Sequence, residues 1–145
     1  MGLHQAMAIS VSGIKAENIA MELIASNLAN IGTTNTINGG PYRRRLAILS
    51  DKPLSFADEL ARAEHKLFEG EGGVEVVDVI EDTSPFQKVY NPGHPDADAQ
   101  GFVSMPNISL SKEMADMVYV SKLYEANITA YKATMKMMQD TLQLQ

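Results

Sequence analysis

LSKEMADMVYVSKLYEANITAYKATMKMMQDTL, residues 110–142, is the stretch that decides the fold. Ten of its positions keep an unbroken 4-3-4-3 spacing: Leu110, Met114, Met117, Ser121, Tyr124, Ile128, Tyr131, Met135, Met138 and Leu142. Only Ser121 and the two tyrosine hydroxyls interrupt their apolar character. On a helix such positions line one seam, the a/d pattern that seeks a partner helix. The other end of the chain carries a second stripe, with Met7, Ile14, Met21 and Leu28 seven residues apart and Val11 and Ile24 beside them. A chain striped at both ends points to assembly before it points to catalysis.

Between the stripes the pattern changes. The first helix is expected over residues 3–29, weakened at Gly13 and interrupted on its apolar face by Glu17 and Asn18. It stops near residues 30–32, where Asn and Gly are expected to take left-handed conformations. GTTNTINGGP, residues 32–41, reads as a loop. A strand is expected over 42–49, and a short helix over 55–68 with Ser55 as its cap. VEVVDVI, residues 74–80, is a strand of β-branched residues, with 87–90 expected as its partner across a Thr83-Ser84-Pro85 turn. NPGHPDADAQG, residues 91–101, is a loop, and 102–105 is a further short strand. Helix resumes at Ser109, a suitable N-cap with Glu113 in the first turn, and runs some 50 Å at ~1.5 Å per residue.

The expected fold is therefore mainly α with a small β-rich insert. The long N- and C-terminal helices pair into a coiled-coil-like inner domain, and the β module projects outward. Residues 1–32 and 107–145 would supply the inner domain, and residues 33–106 the loop and insert. The middle segment, roughly 75 residues, is near the lower limit for a core that stands alone.

Composition narrows the function classes. A net charge of −6 over 145 residues tells against a general binder of nucleic acid or anionic membrane. The chain has no cysteine, so disulfides, thiolate catalysis and cysteine-based zinc sites are excluded. Residues 1–12 show neither a basic leader nor a long apolar run, so no cleaved signal peptide is expected. No stretch reaches eighteen apolar residues, so direct membrane insertion is not expected either. Taken alone, these features suggest a soluble cytoplasmic protein.

Few constellations carry chemistry. Asp96, Asp98, Gln100 and Gly101 match the first half of an EF-hand calcium loop, but position twelve is Asn107 where a bidentate glutamate is needed. The plainer reading is a turn whose aspartates satisfy their own backbone N–H groups. His94 with Asp96 would make two ligands of a metal site, while His4 and His65 lie in other segments. Arg43, Arg44 and Arg45 form the basic cluster, and its expected use is ion pairing, with a neighbouring subunit or with Glu75, Asp78 and Glu81 of the insert. The seam methionines are core filling, or adaptable contacts to unlike neighbours. No catalytic residue, metal site or cofactor is assigned, and no enzyme activity is expected.

Several short runs resemble a known family. IASNLAN at 24–30, followed by Thr33 and Thr34, resembles the signature closing the first helix in the bacterial flagellar axial family of rod, hook and hook-associated proteins. GGPYRR at 39–44, YNPGHPDAD at 90–98 and YEAN at 124–127 are similar to its proximal-rod members. The resemblance implies a structural subunit of the basal-body rod, built into a tubular drive-shaft with its terminal helices innermost. It implies export without a cleaved signal peptide through the flagellar type III apparatus, and a place in the periplasm. Its implied partners are further copies, the neighbouring proximal and distal rod proteins and a rod-base adaptor. Asn27 and Asn30 match the family motif, and their amides are expected to cap the helix end and hold the outgoing loop. Rival readings are another axial protein, a calcium- or metal-dependent enzyme built on 91–101, and a cytosolic coiled-coil adaptor.

Overall fold

The structure is a computed structural model and describes residues 2–52 and 72–143. Its elements are α1 (Leu3–Ala29), β1 (Arg45–Asp51), β2 (Val74–Glu81), β3 (Gln87–Tyr90), β4 (Phe102–Met105) and α2 (Leu110–Gln143). The short helix expected over 55–68 lies outside the described residues. None of the described helices is long and apolar enough to cross a membrane.

α1 and α2 lie against each other antiparallel. Asn27, near the end of α1, bonds Glu113 at the start of α2, and Glu17 bonds Asn127 further along. Met21 and Ser121 meet between them. The strands form two separate antiparallel pairs, β1 with β2 and β3 with β4. A β-bulge interrupts the first pair between Ile48 and Leu49. This first pair rests on α1: the Ser12 hydroxyl accepts the Val74 N–H at 3.1 Å while donating to the Ile9 carbonyl. Gly73 makes that approach possible, because at φ +140 a Cβ would lie 2.3 Å from the Ser12 hydroxyl oxygen.

Two expectations need correction. β2 pairs with β1 and not with residues 87–90, which belong to β3 and pair with β4. The Thr83–Pro85 stretch fails as a hairpin turn because its backbone groups are engaged elsewhere. The Asp82 N–H continues the first ladder to the Arg44 carbonyl at 2.8 Å. The Asn107 amide takes the carbonyls of Asp82 and Ser84, and Arg43 lies over the Phe86 ring at 4.3 Å. The segment is thus a bridge between the two sheets. The second correction concerns the end of α1, where Asn30 closes the helix at φ −102, outside the left-handed region. Its side-chain amide supplies the cap instead, donating to the Ser26 carbonyl at 2.9 Å, while its oxygen accepts the Thr33 hydroxyl.

The core is small. Among the described residues the buried apolar side chains are Ala16, Ile24, Tyr42, Val103 and Ile108. Buried beside them are Asn27, Arg44 and Glu113, at the junction of α1, β1 and α2.

Candidate assembly surface and its polar clamp

Where α1 ends, β1 begins and α2 begins, polar side chains converge. Glu113 is fully buried. Its Oε1 accepts from Nε of Arg44, and its Oε2 accepts from Nδ2 of Asn27 at 3.1 Å. Arg44 is 6% exposed and also reaches Oδ2 of Asp116 at 2.9 Å. The Asn27 amide uses its full capacity. Nδ2 also donates to the Arg45 carbonyl at 2.9 Å, and Oδ1 accepts the Arg45 N–H at 2.9 Å and the Tyr42 hydroxyl at 3.3 Å. One side chain on α1 thereby imitates a strand partner for Arg45 and holds the first residue of β1. Asn107 repeats the device from the other side, accepting the Arg44 N–H at 2.9 Å.

Asp82 adjoins this clamp. The Ser84 backbone N–H bonds its carboxylate at 2.8 Å and holds its pKa below the ordinary value, helped by the Ser84 hydroxyl and, less strongly, by the charges of Arg44 and Lys112.

The basic cluster therefore divides. Arg44, grouped in sequence with its neighbours for pairing between subunits or with the insert, is buried and bonded to Glu113 and Asp116 of α2. Arg43 donates to the Asp82 carbonyl at 3.1 Å and stacks on Phe86. Arg45 is half-exposed and stands 3.9 Å from Glu81, a loose pair that contributes little by itself. Arg43 and Arg45 line a surface concavity of about 330 Å³ together with Thr36, Gly39, Gly40 and Phe86.

The seam residues take different places. On α1, Ile24 is buried and Met7, Val11, Ile14, Met21 and Leu28 are half-buried. On α2, Met117, Tyr124, Ile128, Tyr131 and Met138 are half-buried. Leu110, Met114, Met135 and Leu142 are exposed, at 53%, 56%, 38% and 67%. The two buried positions of α2 are Glu113 and Thr134, each one residue before an exposed methionine of the stripe. One residue is about 100° of helix rotation. The covered face is therefore turned away from part of the apolar stripe, and that part is left uncovered together with Val118 and Tyr119.

The loop over 91–101 is internally bonded. Asp98 Oδ1 accepts the N–H groups of Gln100 and Phe102, both at 2.9 Å, and Asp96 Oδ2 accepts the Thr34 hydroxyl at 2.7 Å. His94 Nδ1 accepts the Asp96 N–H at 3.1 Å. These groups fasten the loop to itself and to residues 32–41.

Sequence reasoning missed the partners of the clamp. In the sequence Glu113 reads only as a favourable charge in a first helical turn, and Asn107 only as a residue unsuited to a calcium loop. A glutamate opening a helix, in a chain with one arginine run, was the signal present.

Residues 99–144, which carry β4 and α2, match the family model described as "Flagellar basal body rod FlgEFG protein C-terminal". Over 148 residues the chain is 38% identical to the flagellar basal-body rod protein FlgC of Bacillus subtilis (strain 168), covering 99% of each chain. The chain belongs to the FlgC family. FlgC of Borreliella burgdorferi is 34% identical, with 98% of this chain and 97% of that protein covered. FlgC of Salmonella typhimurium is 35% identical, at 99% and 98% coverage. In this FlgC-family chain three of the motif residues fall on the clamp, Asn27 from the first run and Tyr42 and Arg44 from the second.

Proposed function

We propose that this chain is a structural subunit of the flagellar basal-body rod and polymerises through its terminal helices into a helical tube. The supporting observation is the uncovered apolar stripe on α2, Leu110, Met114, Met135 and Leu142, alongside Val118. A lone helix pair is marginal in water, and heterologous contacts that do not close upon themselves build filaments. Burying one such side chain against a neighbour contributes about 1.5–3 kcal/mol, so a few per contact suffice to order the lattice. The remaining seam residues of both helices, from Met7 to Leu28 and from Met117 to Met138, hold the pair together and share its flanks with neighbours in a coiled-coil-like inner layer. The β-rich insert lies outside it.

Arg43 and Arg45 remain placed for carboxylates of an adjoining subunit, since Arg44 is engaged within the chain. The FlgC-family relatives are named as basal-body rod proteins, which supports a place in the basal body and assembly with the other rod components. The finer reading is a drive-shaft crossing the periplasm, delivered by the flagellar type III export apparatus without a cleaved signal peptide. Its neighbours would be proximal and distal rod proteins and a rod-base adaptor. It would act without enzymatic activity.

The test is Met114→Asp with Met135→Asp in a strain lacking the native copy. Basal bodies should contain none of the variant and motility should be lost, while the purified variant keeps the native unfolding midpoint. Normal rods containing the double variant would refute the stripe as the assembly surface.

A further inference from the structure

We infer that Glu17 and Asn127, admitted by Gly13, fix the antiparallel register along the part of the helix pair that lies beyond the clamp. Asn127 Nδ2 donates to Glu17 Oε1 at 2.9 Å. The amide lies over bare backbone: a Cβ at Gly13 would stand 2.7 Å from Nδ2 and 3.1 Å from Cγ. Glycine costs helix propensity at a mid-helix position, and here it makes the room that the asparagine occupies.

The tie is not built for maximal stability. The second oxygen of Glu17, Oε2, is buried and has no hydrogen-bond partner within the described chain. An apolar pair of similar volume would pack there without leaving an acceptor unsatisfied. Buried polar pairs in helix seams serve best where they make one alignment satisfiable and its neighbours not.

Alignment is what this pair discriminates. It repeats in reverse the pair at the closed end, where α1 supplies the asparagine and α2 the glutamate: Asn27 with Glu113. The two ties sit fourteen residues apart on α2, at equivalent heptad positions. A slip of one heptad would set Glu17 against Val120 or Thr134. Val120 has no donor, and the Thr134 hydroxyl already donates to the Ala130 carbonyl at 3.0 Å. The apolar positions cannot make this distinction, because methionine accommodates shifted neighbours. This inference concerns the chain's own hairpin and does not depend on how copies assemble.

The absence of native cysteine gives a direct test. Full-length chains carrying Met21→Cys with Ser121→Cys report the native alignment. Met21→Cys with Met114→Cys or with Ile128→Cys reports a slip of one heptad either way. After oxidation, intrachain bridges are separated from interchain ones on a non-reducing gel, and helix content is followed by circular dichroism. In the otherwise native chain the 21–121 bridge should form and the two slipped bridges should be absent. In a background whose clamp is made apolar by Arg44→Met with Glu113→Leu, the 21–121 bridge should still dominate, and adding Glu17→Leu and Asn127→Leu there should keep the helix content and raise the slipped bridges to yields comparable with 21–121. In that background Gly13→Ala, which favours helix but displaces the amide, should also admit slipped bridges. The proposal falls if only the 21–121 bridge forms in these variants, if helix content collapses with no bridge at all, or if 21–121 fails to form in the native background.

Discussion

On α2, Glu113 and Met114 are neighbours in sequence and opposites in environment: the carboxylate is fully buried while the thioether side chain is 56% exposed. Three heptads later the same inversion recurs, with Thr134 buried and Met135 38% exposed. A stable globule would place these residues the other way round. The interior positions hold groups whose directional bonds only one arrangement satisfies. The outer positions hold soft apolar groups that tolerate several neighbours. Under the proposed function, the difference separates two tasks on one helix, self-alignment inward and association outward.

The comparison breaks most visibly at the clamp. Arg44→Met leaves the Glu113 carboxylate buried without its guanidinium, and the expected loss is about 3–5 kcal/mol in a urea denaturation of the purified chain. Arg44→Met with Glu113→Leu should recover at least half of that loss, because an apolar pair needs no partner. A single variant within about 1 kcal/mol of native would show that the clamp's members act independently. At the outer surface the contrast should be complete. Met114→Asp should change unfolding stability by no more than about 0.5 kcal/mol, the usual range for an exposed site free of special contacts.

How far the sequence discloses this arrangement depends on the kind of interaction. The two long helices and the four strands are readable, because period and turn residues are local signals. The pairing of β2 is not, since the choice between residues 45–51 and 87–90 depends on what occupies the carbonyls of Asp82 and Ser84. That occupant is Asn107, more than twenty residues away. The rotation of the covered face is hidden for a related reason. A stripe of spacing 4-3-4-3 marks where apolar residues lie, whereas the chain buries Glu113 because Arg44 and Asn27 await it. Arg44 itself looks like its two neighbours in sequence, and only the fold distinguishes the buried arginine from the half-buried Arg43 and the exposed Arg45.

A smaller effect is expected in the loop over 91–101. Asp98→Ala removes the acceptor of two backbone N–H groups, those of Gln100 and Phe102. Because the site is open to water, the loss should be about 0.5–1.5 kcal/mol, read from the same urea midpoint. Millimolar calcium should leave the native melting temperature unchanged, since one oxygen of each carboxylate, Asp98 Oδ1 and Asp96 Oδ2, is already engaged within the chain. A calcium-dependent rise of several degrees would assign this loop a ligand-binding task in addition to its structural one.

The smallest expected effect is at Asp82, and it sharpens the contrast between buried and exposed carboxylates in one network. Hydrogen bonds from Ser84 depress its pKa, with Arg44 and Lys112 adding weaker attraction. A depressed carboxylate stabilises the fold fully above its unfolded value, near pH 4, and that contribution disappears as pH falls through the lower folded value. Asp82→Asn should therefore lower the unfolding midpoint slightly at neutral pH, and the gap between variant and native should narrow steadily below about pH 4. Asparagine can still accept the Ser84 N–H through its oxygen, so the gap reports charge more than geometry. Because Asp82 is only half-buried and within reach of water and salt, raising ionic strength should shrink the gap at neutral pH as well. A gap that is independent of both pH and salt would mean that the hydrogen-bond shape alone matters there, and that charge carries weight in this network only where it is buried.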